Sequence, residues 1–140
     1  MKLCRFIFKL SFLFVGWILT LPMSSAGADF PMVVIDSYEN KLHIQRKPQQ
    51  VVCLAPYITE MLLAFGQDRV LVGLTRQDLT LNHALRKKNV GSYFCPDIQA
   101  VADCYPDLII AAPSHKEVIH HFGSSSSILM VMEAQKVEEA

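Results

Sequence analysis

The sequence predicts an α/β fold: a parallel sheet flanked by helices, preceded by a short β-hairpin. Three observations carry this reading. Short apolar runs recur at residues 50–54, 70–74, 107–111 and 128–132. Stretches with helical spacing or good helix formers alternate with them. The runs are near-continuous rather than alternating, as strands buried on both faces require, and such strands belong to a parallel sheet covered by helices.

Taken in order, residues 32–36 and 41–45 are β-like runs around Ser37-Tyr38-Glu39-Asn40, and turn residues between two such runs predict a hairpin. Pro48 leads into the first core strand, 50–54. A helix follows from about Tyr57 to Gly66. Ile58, Met61, Leu62 and Phe65 fall at i, i+3, i+4 and i+7 and predict its apolar face, and Gly66 is a natural stop. The second strand is 70–74. A weaker, polar helix over 77–88 ends in Arg86-Lys87-Lys88, charge that suits a helix C-terminus. A third strand is expected at 89–92. Pro96 marks a helix start, with Ile98, Val101 and Ala102 on one face. The fourth strand, 107–111, is entered through Pro106. A helix over 114–122 stops at Gly123, and after the serines at 124–127 a fifth strand is expected at 128–132. Residues 133–140 are short, polar and rich in helix formers.

The N-terminus reads as an export signal. Lys2, Arg5 and Lys9 precede a 12-residue mostly apolar run at 10–21, which is short for a membrane span. Pro22 ends the run. Ala26-Gly27-Ala28 supplies a small-x-small site, which sets cleavage before Asp29; Ser24-Ser25-Ala26 is a second site, and an uncleaved anchor helix is the competing reading. Cys4 lies before the apolar run, so it does not mark a lipoprotein anchor. The expected organisation is a signal peptide over 1–28 and one domain over 29–140, exported to the periplasm.

The whole chain carries 13 basic and 13 acidic residues, and the domain after the signal keeps 10 basic against 13 acidic. There is no basic stripe interleaved with aromatics, so nucleic acid is excluded as a partner. Cys53, Cys95 and Cys104 remain. Cys53 lies in an apolar strand and reads as a buried, inert thiol. Cys95 and Cys104 flank a short helix and are either a disulfide or two thiols. No C-x-x-C pair suggests zinc, and no protein metal site or cofactor is expected.

Together, Val51-Val52-Cys53-Leu54-Ala55-Pro56-Tyr57-Ile58-Thr59-Glu60, Leu71-Val72-Gly73-Leu74-Thr75, Val90-Gly91-Ser92-Tyr93-Phe94-Cys95-Pro96 and Tyr105-Pro106-Asp107-Leu108-Ile109-Ile110-Ala111 resemble the N-terminal lobe of a family of periplasmic binding proteins. These proteins deliver iron-siderophores, haem or cobalamin to ABC importers. The resemblance runs from about residue 33 to 131. It implies a solute-binding component of an ABC importer, monomeric, working with a membrane permease. The family has two lobes joined by a long helix, with the ligand between them. The second lobe and linking helix have no counterpart in these 140 residues. A truncated gene, a frameshift and a fragmentary gene model are the readings of that difference, and a non-functional product is among them.

In open α/β sheets, ligands bind outside the carboxyl ends of the strands. The residues just after each strand are therefore the candidate ligand site: Tyr57, Arg76, Tyr93 and His115. Tyr93 and Phe94 offer an aromatic wall for a large, flat or greasy ligand, or pack on their own domain. In the resembling family an aromatic often faces the ligand from this loop. Tyr57 is a hydrogen-bonding phenol or an iron-binding phenolate, or else merely opens a helix. Arg76 suits carboxylate, phosphate or hydroxamate acceptors, or is a solvated charge. His115 is a haem ligand or polar contact, or a plain helix-start histidine. His120 and His121 lie five and six residues further on and do not share a helix face with it, and His43 and His83 sit in polar segments.

Glu60 has a separate expected role. In the family, the Glu of the Thr-Glu pair pairs with arginines of the permease, and Thr59-Glu60 matches that pair. The alternative is a first-turn acid favoured by the helix dipole. No G-x-S-x-G, P-loop or G-x-G-x-x-G occurs, so no enzyme is expected. Asp97, Asp103 and Asp107 read as helix start, helix end and strand entry. The competing class is a small exported flavodoxin-like enzyme or regulatory domain using the same loops.

Overall fold

A computed structural model of the chain describes residues 29–78 and 87–133. The expected signal peptide, most of the 77–88 helix with His83, and the tail from 134 lie outside the described residues.

β1 (Met32–Ile35) and β2 (Lys41–Ile44) form the expected antiparallel hairpin, with Val33 opposite His43 and Ile35 opposite Lys41. Five parallel strands follow: β3 (Val51–Cys53), β4 (Leu71–Leu74), β5 (Lys88–Asn89), β6 (Leu108–Ala111) and β7 (Ile128–Val131). Their order across the sheet is β5-β4-β3-β6-β7. The two central strands, β3 and β6, are buried along their whole length, which is why their sequences are apolar at every position.

The order in which strands are laid down reverses at β3: β4 and β5 lie to one side, β6 and β7 to the other. Right-handed crossovers then put helices on opposite faces. α1 (Pro56–Ala64) packs through Ile58 on the face built by Val51, Cys53, Leu71, Leu74, Leu108 and Ile110. α2 (Ile98–Ala102) and α3 (Lys116–Phe122) pack through Val101, Val118 and Phe122 on the face built by Val52, Leu54, Ile109 and Ala111. Alternate residues of one strand thus feed two cores.

Helix α1 opens at Pro56, whose missing N–H costs nothing at the first helical position. It ends in a Schellman motif: Gly66 has φ +68°, its N–H donates to the Leu63 carbonyl at 2.9 Å, and Gln67 N–H donates to Leu62 at 2.9 Å. Its buried face differs from the expected one. Ile58 and Thr59 are buried and Leu62 and Leu63 half-buried, whereas Met61 is 55% and Phe65 73% exposed. Residues 55, 58, 59, 62 and 63 are spaced i, i+3, i+4, i+7 and i+8, a better helical stripe than the one containing Met61. Thr59 concealed it: its hydroxyl donates to the Ala55 carbonyl at 3.4 Å, so a polar residue sits in the core without an unpaired group.

β5 is shorter than the expected 89–92 and lies one residue earlier. Gly91 turns the chain at φ +95°, where an added Cβ would lie 2.6 Å from Asp97 N, so the strand ends before it. α2 is capped by Asp97, whose carboxylate accepts Ala100 N–H at 3.0 Å, while Pro96 stands outside the helix. α3 starts at Lys116, two residues later than expected. Asp107, at the entry to β6, accepts Gln49 N–H at 2.8 Å and Gln50 N–H at 3.0 Å and so ties the chain before β3 to the chain before β6.

Candidate functional site

The strand order places the topological switch point between β3 and β6. Ligands of doubly wound sheets bind outside the carboxyl ends of the strands at that point. The loops there carry the candidate residues, and the structure treats them differently.

Tyr57 is half-buried at the first turn of α1, and its hydroxyl donates to the Met132 carbonyl, past the end of β7, at 2.9 Å. The phenol is thus engaged with the protein across the switch point. Arg76 is exposed; its N–H donates to the Gly91 carbonyl at 2.8 Å, which fixes the backbone and leaves the guanidinium in solvent. Tyr93 and Phe94 occupy the tip of a turn closed by reciprocal bonds between Ser92 and Cys95 at 3.1 and 3.2 Å. Phe94 is 88% exposed and Tyr93 half-buried, with ring centroids 5.2 Å apart, edge to face.

His115 is buried. Its Nδ1 accepts Ala112 N–H at 3.1 Å, and its Nε2 lies 2.6 Å from the Tyr93 carbonyl. A lone pair on Nδ1 requires the proton on Nε2, so both ring nitrogens are engaged in the neutral form. Burial holds its pKa below the ordinary 6.5, against the opposing bond to Tyr93. A ligand would reach either nitrogen only by displacing a backbone partner. The structure therefore brings Tyr93 and His115 together, with centroids 5.1 Å apart, and sets Tyr57 and Arg76 on the neighbouring loops of the same rim.

Glu60 is exposed in α1, on the residue after buried Thr59 and just before exposed Met61. Beneath it lies a polar cluster the residue types alone did not single out. Asp78 is 2% exposed; its Oδ2 accepts the Thr75 hydroxyl at 2.5 Å and Thr75 N–H at 3.2 Å, with a further bond from Thr59. Burial raises its pKa, those bonds lower it in part, and the charge of Glu60 raises it further. Gln77, between Arg76 and Asp78, accepts Tyr93 N–H on its Oε1 at 3.1 Å. Both were visible only as members of a strand-end loop, because their partners come from other loops.

Cys53 is a buried thiol, pushed up to about 11 by burial. Cys95 and Cys104 are free thiols. Cys95 stands exposed on the rim turn, while Cys104 turns under the sheet toward β4, its Sγ donating to the Ala100 carbonyl. Among the described residues no three His, Cys, Asp or Glu side chains are grouped to hold a metal ion. A shallow cleft of about 250 Å³ runs beside the rim turn between Phe94, Pro96, Ser114 and Lys116. A larger hollow, about 390 Å³, lies between the hairpin and β7, lined by Leu42, His43, Ile119 and Leu129, away from the strand-end loops.

No family model matches the chain. It is 28% identical over 85 residues to an uncharacterized ABC transporter substrate-binding lipoprotein of Bacillus subtilis (strain 168), YvrC, covering 61% of this chain and 27% of that one. Among solved structures it is similar to the iron uptake ABC transporter substrate-binding protein PiuA of Streptococcus pneumoniae Canada MDR_19A. There the identity is 26% and the TM-score 0.63, over 74% of this chain and 37% of that one. The petrobactin-binding protein YclQ of Bacillus subtilis matches with TM-score 0.59 and 24% identity, over 72% and 36% of the two chains. The heme binding protein HmuT matches with TM-score 0.69 and 18% identity, over 82% and 38%, a likeness of fold alone. The chain spans about a quarter of the curated relative and a little over a third of each of these structures. The described residues have the lobe fold of the substrate-binding proteins of ABC importers, and the resemblance drawn from the sequence is borne out.

Proposed function

We propose that this chain is the ligand-facing lobe of an exported solute-binding protein that captures an iron-siderophore or haem and hands it to an ABC permease. The observation that carries this reading is the rim itself: an aromatic pair, half-buried Tyr93 and exposed Phe94, and an exposed Arg76 at the switch point of a lobe whose fold is that of such proteins. Aromatic faces suit flat or greasy surfaces, and a guanidinium suits the acceptor groups such ligands carry. Residues 1–28 serve as the signal peptide and 29–140 as the lobe, delivered to the periplasm as a monomer. Glu60, exposed on α1, is the docking acid toward permease arginines. No bond-making chemistry is assigned to the rim.

The rival reading, a flavodoxin-like enzyme, is disfavoured by strand order. Numbered along the chain, the parallel strands run 3-2-1-4-5 across the sheet, whereas the flavodoxin-like order is 2-1-3-4-5.

The test is titration of the chain with haemin, a ferric hydroxamate siderophore and cyanocobalamin, followed by absorbance and tyrosine quenching. One lobe provides about half of a two-lobed cleft, so binding is expected in the micromolar range or weaker, on the order of −8 kcal/mol at most. Haemin or the ferric siderophore should bind, and Arg76→Ala together with Phe94→Ala should weaken that binding about tenfold or more. Tight binding of zinc or manganese with no binding of the three compounds would overturn the assignment.

A further inference from the structure

The Tyr93–Phe94 pair stands on a turn that two neighbouring strand-end loops hold in place. Tyr93 N–H donates to Gln77 Oε1, from the loop after β4, at 3.1 Å. The Tyr93 carbonyl accepts from His115 Nε2, from the loop after β6, at 2.6 Å. The turn's own closure, Ser92 to Cys95, is doubled by Cys95 N–H donating to Ser92 Oγ at 3.1 Å. At its base Gly91 leaves no room for a side chain. So the peptide groups on both sides of Tyr93 are pinned, and the two pins come from positions 16 and 22 residues away in sequence.

We propose that His115 is a positioning residue rather than a ligand: with Gln77 it clamps the Tyr93 backbone, so that the aromatic pair is already set as a platform for a flat or apolar ligand surface. This rests on the ligand-binding reading above and assigns a role within it. Three features single out His115. The residue is only 4% exposed and, although it borders the cleft beside the rim turn, both of its ring nitrogens are taken by backbone partners. Its Nδ1 is fixed by Ala112 N–H, which defines the tautomer and aims Nε2–H at Tyr93. Its ring backs the Tyr93 ring edge to face, so one side chain orients both the peptide and the aromatic. A loop ordered before the ligand arrives spares the ordering cost at binding. The distance across which the clamp acts is also the reason a single histidine in the sequence looks like a ligand: Tyr93, the partner it positions, belongs to another loop 22 residues away.

Two substitutions divide the role. His115→Gln keeps a donor near the position of Nε2, whereas His115→Asn keeps an acceptor near Nδ1 and loses the reach to Tyr93. The full chain is followed without ligand by amide exchange, and with haemin by absorbance titration. His115→Asn should speed exchange over residues 92–96 about tenfold or more, while residues 51–54 in β3 stay protected. His115→Gln should keep 92–96 slow. Haemin affinity should fall about tenfold in His115→Asn and stay within about threefold in His115→Gln. Gln77→Ala, which releases the other end of the clamp without touching buried residues of α3, should repeat the His115→Asn pattern, and it decides the matter should His115→Asn not fold. Unchanged exchange at 92–96 in both Gln77→Ala and a folded His115→Asn would overturn the clamp. Faster exchange with unchanged haemin affinity would overturn its role in binding. Loss of haemin from His115→Gln with 92–96 still slow would make His115 a direct ligand and overturn the proposal. If the unsubstituted chain binds neither haemin nor a ferric siderophore, it is the ligand reading that fails, and the exchange data still judge the clamp.

Discussion

Two buried aspartates organise two turns, and their carboxyls are driven in opposite directions. Asp36 follows β1 and is 8% exposed. It accepts Tyr38 N–H at 2.9 Å, Asn40 N–H at 2.8 Å, the Asn40 side-chain amide at 3.1 Å and Val131 N–H at 3.4 Å. Burial alone would raise its pKa; the bonds from Asn40, Tyr38 and Val131 outweigh it and hold the carboxyl below its ordinary 3.8. Asp78 follows β4 and has Thr75 and Thr59 as its donors, with Glu60 nearby, so burial prevails and its pKa is raised. The difference teaches that donor supply weighed against depth decides whether a buried carboxylate stabilises a fold. Four donors make Asp36 a fastener of the hairpin to the edge of β7. Asp78 instead shapes the loop carrying Arg76 and Gln77 at some cost to stability, a trade common at binding sites.

The largest expected break in that comparison is Asp36→Ala. It strands the Val131 N–H and the hairpin-turn donors, and urea unfolding at pH 7 should show a loss of about 3 kcal/mol. The companion bonds, Ser37 N–H to the Val131 carbonyl at 2.8 Å and Glu133 N–H to Ser37 Oγ at 2.9 Å, depend on the same turn. A loss below about 1 kcal/mol would mean that the hairpin is held by its apolar contacts instead.

Asp36 also marks where sequence reading stops. The strands were legible because central parallel strands must be apolar throughout, as 51–54 and 108–111 are. The hairpin was legible from its turn. The contact between Asp36 and Val131 spans 95 residues, and nothing local announces it. α1 was placed to within a residue at its start, yet its face was misjudged, because Met61 and Phe65 are apolar but exposed and Thr59 is polar but buried. The candidate site was legible as a rim, since topology alone puts strand-end loops together. Which of its side chains are spent was not: Tyr57 and His115 look as available as Arg76 until Met132, Ala112 and Tyr93 are seen beside them.

A smaller effect sharpens the comparison at the other aspartate. Asp78→Asn keeps an acceptor for Thr75 and removes a charge that burial and Glu60 disfavour. At pH 7 the variant should match or exceed the parent in stability, with a difference under about 1 kcal/mol. The pH dependence gives the sign. A carboxyl whose folded pKa is raised is fully compatible with folding below 3.8 and loses stability as pH climbs through the folded value. The advantage of Asp78→Asn should therefore be absent near pH 3.5 and grow above it. A variant that is less stable at pH 7 than at pH 3.5, relative to the parent, would show that the ionised form is the favoured one.

The smallest expected effect concerns His115, whose shift comes from burial with the bond to Tyr93 opposing it. Its folded pKa lies below 6.5, so the unfolded chain takes up the proton first. The sign follows: its contribution to stability is full above 6.5 and declines as pH falls from there toward the folded value. The slope cannot exceed about 1.4 kcal/mol per pH unit for one proton. Asp36 and Asp78 are retained in the His115→Gln variant, so the difference between the two slopes belongs to the histidine. The groups nearest to it in sequence, Lys116 and Glu117, are exposed and are retained in a variant at 115. Thermal unfolding of the parent between pH 7.5 and 5.5 should therefore slope downward with acid more than that of His115→Gln, which has nothing to protonate there. Equal slopes would mean that protonating His115 costs the fold nothing, so Nδ1 would not be held as the acceptor of Ala112 N–H and the tautomer that aims Nε2 at Tyr93 would not be what the fold selects.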